Sequence, residues 1–223
     1  MNQPNRVWGG GTAQRTLWML GGVAIFGLLP MLADRYVYDH WYHKNVYDLD
    51  WARLLRVMGF APTWILAALA MWLQERPEAA ADAVERARRA ARRAWYLVVA
   101  PLAGGLVAEV MKLLLRRERP NVLEGDYSFR AWSDHPFSTS GLAWPSSHTM
   151  VAFAAATALS RLFPRARWVW YFLAAGCGIT RLLAHAHFFS DVVLGAFLGW
   201  SVGWGVFLAL RPMRNGDGAG EDC

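Results

Sequence analysis

Thr180-Arg181-Leu182-Leu183-Ala184-His185-Ala186-His187-Phe188-Phe189-Ser190-Asp191 is a polar island where two apolar runs meet, Trp168–Leu183 and Val192–Leu210. A chain that crosses a membrane twice at this point has a reason to keep such groups there. If the end of the island is helical, His187 and Asp191 lie four residues apart on one face. A carboxylate in that position holds an imidazole in one tautomer and raises its basicity, which suits a nucleophile or a base. Arg181 adds a permanent charge with a planar fork of donors, matched to phosphate.

Outward from the island, the chain reads as polytopic. Its 223 residues are 55% hydrophobic with 13 Trp, and long stretches carry no charge, a profile of membrane proteins rather than soluble globules. The net charge of +6 does not point to nucleic acid, because the basic residues fall in short segments between apolar runs. Cys177 and Cys223 form neither a disulfide framework nor a zinc spacing. Six apolar segments are expected to be transmembrane helices: Thr16–Ala33, Leu55–Leu73, Trp95–Leu115, Thr149–Phe163, Trp168–Leu183 and Val192–Leu210. The first reads as an uncleaved span, since Met31 suits a signal-peptidase site poorly before Ala33.

Loop charges orient the bundle. Arg76, Arg86, Arg88, Arg89, Arg92 and Arg93 in one connector, Arg161, Arg165 and Arg167 in another, and Arg211 and Arg214 near the C-terminus mark the cytoplasmic side. The expected architecture is all-α: a single domain over residues 1–223, with six transmembrane helices in a bundle and both termini cytoplasmic. Its parts are a tail (1–15), an amphipathic cytoplasmic connector (74–94), an extracytoplasmic loop (116–148) and a second tail (211–223). The expected location is integral to the membrane, the inner or plasma membrane if the chain is bacterial. Tyr36, Tyr38, Trp41, Tyr42, Tyr47 and Trp51 read as an interfacial aromatic belt. Arg116, Arg117 and Arg119 run against the positive-inside trend, which calls for a functional reason.

Two further stretches fall on the same extracytoplasmic side. Lys112 closes the third span and Arg119-Pro120 follows; Trp144-Pro145-Ser146-Ser147-His148 opens the fourth. Singly, these read as a snorkelling lysine, a loop opening and an N-cap. Together they supply three cations, hydroxyls, helix N-terminal amides and a second histidine, a set suited to phosphoryl transfer.

Lys112-x6-Arg119-Pro120, Pro145-Ser146-Ser147-His148 and Thr180-Arg181-x5-His187-x3-Asp191 resemble the three-part signature of the type 2 phosphatidic acid phosphatase superfamily. That resemblance implies His187 as the nucleophile forming a phosphohistidine, Asp191 as its support, and His148 as the acid for the leaving alcohol and then the base for water. It implies a phosphate clamp of Lys112, Arg119 and Arg181, with Ser146, Ser147 and nearby amides completing the cradle. Ser147 stands where the family usually has Gly, and Thr180 where it has Ser. The expected activity is a lipid phosphatase on a membrane lipid phosphate or diphosphate, with no cofactor, no metal and no nucleic-acid partner. His185, His187 and Asp191 also read as a metal cluster, but three fixed cations around one site oppose a divalent ion. Two alternatives stay open: a phosphotransferase or soluble-ester phosphatase on the same site, and a non-catalytic transporter or scaffold.

Overall fold

The computed structural model describes residues 12–75 and 83–210. The expected tails up to residue 11 and from residue 211, and residues 76–82 of the connector, lie outside them. Among the described residues the chain is helical, with two isolated β-bridges and no longer strand pairing. The principal helices are α1 (Thr12–Leu28), α2 (Asp34–His40), α3 (Asp50–Val57), α4 (Ala61–Glu75), α5 (Ala83–Leu115), α6 (Ser147–Leu162), α7 (Arg167–Leu183) and α8 (Phe189–Leu210).

α6 is the axis of the bundle, with α5, α7 and α8 packed around it. Its sequence explains that place. Ala152, Ala154, Ala155, Ala156 and Ala158 are all fully buried, and a helix that is small and apolar on every side can accept neighbours all round. Thr157 satisfies its hydroxyl internally, on the Phe153 carbonyl at 2.8 Å. α8 meets α6 through Gly195, Gly199 and Gly203, spaced by four. A Cβ at Gly199 would stand 2.4 Å from the Met150 carbonyl oxygen, so the two backbones touch as small-residue stripes permit. α1 packs on α8, α4 on α5 and α3 on α7.

Each of the six apolar segments falls largely within helix, but two depart from a straight span. Leu55–Leu73 breaks at Met58–Phe60, where α3 and α4 meet at 70°. Two residues force the break: Gly59 lies against His148 with no room for a Cβ, and Pro62 cannot continue a preceding helix. The Met58 carbonyl freed there accepts the Trp64 indole N–H at 2.9 Å. The second departure is in α5, which joins residues 83–94 of the connector to the third apolar segment in one helix of 33 residues. At 1.5 Å per residue such a helix is about 50 Å long, well beyond a hydrocarbon core of about 30 Å.

α5, α8 and the first helical segment from Thr16 to His40 are long and apolar enough to cross a membrane, and the bent α3–α4 pair is a fourth candidate. α6 and α7, at 16 and 17 residues, are short for a perpendicular crossing. Outward-facing apolar side chains are plentiful: Phe172 is 75% exposed, Trp168 71%, and Leu66 and Leu106 67% each. Such a surface matches hydrocarbon rather than water.

Candidate active site

Four helix ends meet at one end of the bundle: the C-terminus of α5, the N-terminus of α6, the C-terminus of α7 and the N-terminus of α8. The opposite end carries arginines, where the Arg93 guanidinium of α5 lies 5.8 Å from the Phe163 ring at the end of α6. Every site residue expected from the sequence therefore lies at the first of these two ends.

His187 sits in the short turn between α7 and α8 and is 4% exposed. Its Nδ1 stands 3.4 Å from Asp191 Oδ2, beside the carboxylate but off the line of a hydrogen bond. The other ring nitrogen is left free to face a substrate. Burial pulls the His187 imidazole down to about 4, and the neighbouring charges of Arg181 and Lys112 act in the same direction against Asp191. The ring is neutral, with a lone pair available, at ordinary pH.

Asp191 is fully buried and held from three sides. Its Oδ2 accepts the Phe188 amide at 2.7 Å, while Oδ1 is paired with Arg117 Nη2. Arg117, 1% exposed, also donates to Ser190 Oγ at 2.9 Å. Its guanidinium is walled by Trp144, Phe188 and Tyr127, with ring centroids at 4.8, 4.8 and 5.2 Å. Behind it lies Asp34 of α2, whose carboxylate accepts the Ser190 amide at 2.7 Å, the Ser190 hydroxyl at 2.6 Å and the Tyr127 hydroxyl at 2.8 Å. Arg117 and Asp34 were not singled out in the sequence motifs. The signal for Arg117 was its breach of the charge rule, and Trp144 proves to cover this cation.

Lys112, 6% exposed, donates to Glu109 Oε1 at 3.0 Å and also bonds Ser147 Oγ. Ser147 in turn donates to the same Glu109 oxygen at 2.6 Å. The hydroxyl that replaces the family glycine thus closes a triangle with Lys112 and Glu109, one helical turn before it. Ser146 is fully buried, and its hydroxyl accepts from Thr149 at 3.1 Å. No side chain caps the amides at the start of α6, so they remain available to an anion.

Arg181 donates from Nη1 to the Tyr47 hydroxyl at 2.6 Å, and Tyr47 donates to the Thr180 carbonyl at 3.2 Å. Tyr47, read from sequence as a belt residue, therefore touches the site. Arg119 and Arg181 line a cleft of about 490 Å³ together with Tyr47 and Arg56. The Nε groups of both arginines are buried with no acceptor in reach among the described residues. Burial and the nearby Arg181 charge hold the Arg119 guanidinium below its usual range. Guanidinium groups that line a cleft without a carboxylate partner are what an incoming oxyanion satisfies. His148, partly buried, lines an adjoining cleft of about 280 Å³ with Arg53, Arg56, Val57 and Phe60.

His185 is turned away. Its ring stacks on Tyr38 at 4.1 Å, and Nε2 contacts the Tyr38 carbonyl at 2.9 Å. Among the described residues, no three His, Cys, Asp or Glu side chains converge as a metal site would require. Arg116 also has another task, since its guanidinium gathers the carbonyls of Arg130, Ala131 and Pro136 at 3.1, 2.9 and 3.3 Å and so folds the loop back on itself.

Comparison with known proteins gives the family. The family model of the PAP2 superfamily matches residues 93–214, which holds all three motif stretches. The chain is 36% identical over 108 residues to a lipid A 1-phosphatase of Rhizobium etli, covering 47% of this chain and 45% of that protein. It is 35% identical over 108 residues to the lipid A 1-phosphatase of Rhizobium johnstonii, covering 47% and 43%. A lipid A 1-phosphatase of Porphyromonas gingivalis is 36% identical over 103 residues, covering 44% and 22%. The match thus spans less than half the length of each of these curated relatives. No solved structure matches the chain. With the family model covering more than half of its length, the chain belongs to the PAP2 superfamily.

Proposed function

We propose that this protein is a metal-independent phosphatase that hydrolyses a lipid phosphate or diphosphate through a phosphohistidine. The observation that carries the proposal is the buried, neutral His187, with Asp191 beside it, one residue after Ala186 in the lining of a cleft that also holds Arg119 and Arg181. In the first step the free ring nitrogen of His187 attacks phosphorus in line, a P–N bond forms and the P–O bond to the leaving group breaks. His148, which burial and the Arg181 charge pull down to about 3, is raised again by the negative charge of the bound phosphate and gives its proton to the departing oxygen. In the second step His148 takes a proton from water, the water oxygen bonds to phosphorus, the P–N bond breaks and inorganic phosphate leaves. Arg119, Arg181, Lys112, Ser146 and the first amides of α6 hold the equatorial oxygens, so positioning and charge stabilisation supply most of the acceleration. Three fixed cations supply the charge that a metal ion otherwise brings.

A lipid substrate is supported by an apolar cleft of about 750 Å³ lined by Trp41, Ile179, Leu182, Phe189, Val193 and Trp200, among others. Leu182 and Phe189 stand at the site ends of α7 and α8, so a chain lying there leaves its headgroup beside His187. The name shared by the curated relatives favours lipid A phosphate among the candidates. In the six-span arrangement we infer, α6 and α7 cross with the others. The arginine-bearing end faces the cytoplasm and the site faces outward.

The test is phosphate release from a panel of lipid phosphates by the full chain in detergent micelles, with and without chelator. Wild-type turnover that survives chelation and is lost in His187→Ala, with the variant still folded, supports the proposal. Turnover that persists in His187→Ala removes it.

A further inference from the structure

α3 places two arginines where the motifs put none. Its inner face is fixed by Ala52, fully buried, and by Leu55, which packs on Gly176 of α7 so closely that a Cβ there would stand 2.9 Å from it. With that face pinned, Arg53 and Arg56, three residues apart, lie on the open side. Arg56 lines both clefts: the one holding Arg119 and Arg181, and the one holding His148 and Arg53. Its guanidinium lies 4.5 Å from the Tyr47 ring centroid, and that of Arg181 lies 5.7 Å from the same centroid. Asp50 pairs with Arg53. Among the described residues Arg56 has no carboxylate partner, and Asp48, which also lines the larger cleft, makes no ion pair with it.

The position matters because of the direction of reaction. On the proposed mechanism the leaving oxygen departs on the side of its acid, His148, and the cleft that His148 lines is also lined by Arg53 and Arg56. A group attached to the leaving oxygen and seated in that cleft meets these guanidiniums. A neutral headgroup would leave Arg56 uncompensated beside Arg119 and Arg181, and a second phosphate would neutralise it. Building on the phosphatase reading, we propose that Arg56, aided by Arg53, forms a second anion subsite that binds a further phosphate on the leaving-group side of the substrate. That phosphate is either bonded directly to the scissile one, as in a lipid diphosphate, or carried elsewhere on the same headgroup, as in a doubly phosphorylated glycolipid.

The experiment uses the full chain in detergent micelles with two substrate pairs: a prenyl diphosphate against its monophosphate, and a 1,4′-bisphosphorylated lipid A against its 1-monophosphate. The readout is the ratio of kcat/KM within each pair. Wild type is expected to favour the doubly phosphorylated member of one pair, and the pair that shows the preference identifies the source. Arg56→Gln is expected to lower that ratio about tenfold or more, mainly through KM, the scale of one lost hydrogen bond between charged groups. Arg56→Lys should keep part of it, because the charge survives without the planar fork. Ratios near one in wild type, or a ratio unmoved in Arg56→Gln, overturn the subsite while leaving the phosphatase reading intact. Wild type inactive on all four lipids overturns the subsite, and inactivity across the whole panel of lipid phosphates overturns the phosphatase reading as well.

Discussion

Two groups of arginine at the same end of the bundle are treated oppositely in this protein. Arg117 is sealed behind α8, paired with Asp191, near Asp34 with Nη1 at 3.9 Å, and walled by three aromatic rings. Arg119 and Arg181 line a cleft and have no carboxylate partner among the described residues. On the proposed function, the same side chain serves as a fastener where its charge is matched and as a receptor where it is not. Burial alone therefore does not mark an arginine as a phosphate ligand; a missing carboxylate partner is the better sign.

Substitution should separate the two groups. Arg117→Gln leaves the carboxylates of Asp191 and Asp34 buried without their cation, a loss of about 3–5 kcal/mol. Thermal unfolding in detergent is expected to drop sharply, and activity with it. Arg181→Gln should reduce kcat/KM by about a hundredfold or more, the scale of a lost transition-state contact, while unfolding moves little. Equal unfolding shifts in both variants would erase the distinction.

Asp34→Ala comes next in size. It strands the Ser190 amide, the Ser190 hydroxyl and the Tyr127 hydroxyl, each unmet donor costing about 1–3 kcal/mol before relaxation. Lower thermal stability is expected, with a smaller fall in kcat than for Arg181→Gln. An unchanged melting temperature would show that α2 does not brace the site.

The pH profile sharpens the cleft side. His187 is held down to about 4 by burial, so it stays neutral as pH falls through its ordinary value of about 6.5 and loses its lone pair only below that. The enzyme's acid limb in kcat/KM, once the substrate's own titration is measured separately, should fall nearer 4 than 6.5. A nucleophile limb at 6.5 or above contradicts a buried imidazole. The smallest effect expected is for Tyr47→Phe, which removes one hydrogen bond from Arg181. A three- to tenfold loss of about 0.5–1.5 kcal/mol in kcat/KM with unchanged unfolding would place Tyr47 as a positioning residue, and no loss would return it to the aromatic belt.

The comparison also explains what the sequence could tell. The helices were legible because hydropathy reports burial in lipid, and the motif residues because each stretch carries its polar groups at short spacing around one helix end. The bend at Met58–Phe60 was not legible, since hydropathy is blind to backbone direction and Gly59 is explained only by His148, 89 residues later. Asp34 lies 156 residues from Ser190 and Tyr47 134 from Arg181, separations that leave no local pattern. Glu109 stood one turn from Lys112 in plain view, but its link to Ser147 needed α5 and α6 to be packed. Ser147, a departure from the family pattern, acquires its explanation from that link.

The central claim is covalent chemistry at His187. Brief reaction with a radiolabelled lipid phosphate, quenching in denaturant and mapping of the labelled residue test it most directly. The account predicts label on His187 that is lost in acid and survives alkali, as a phosphoramidate is. Label on Ser146 or Ser147 with the opposite stability would contradict it.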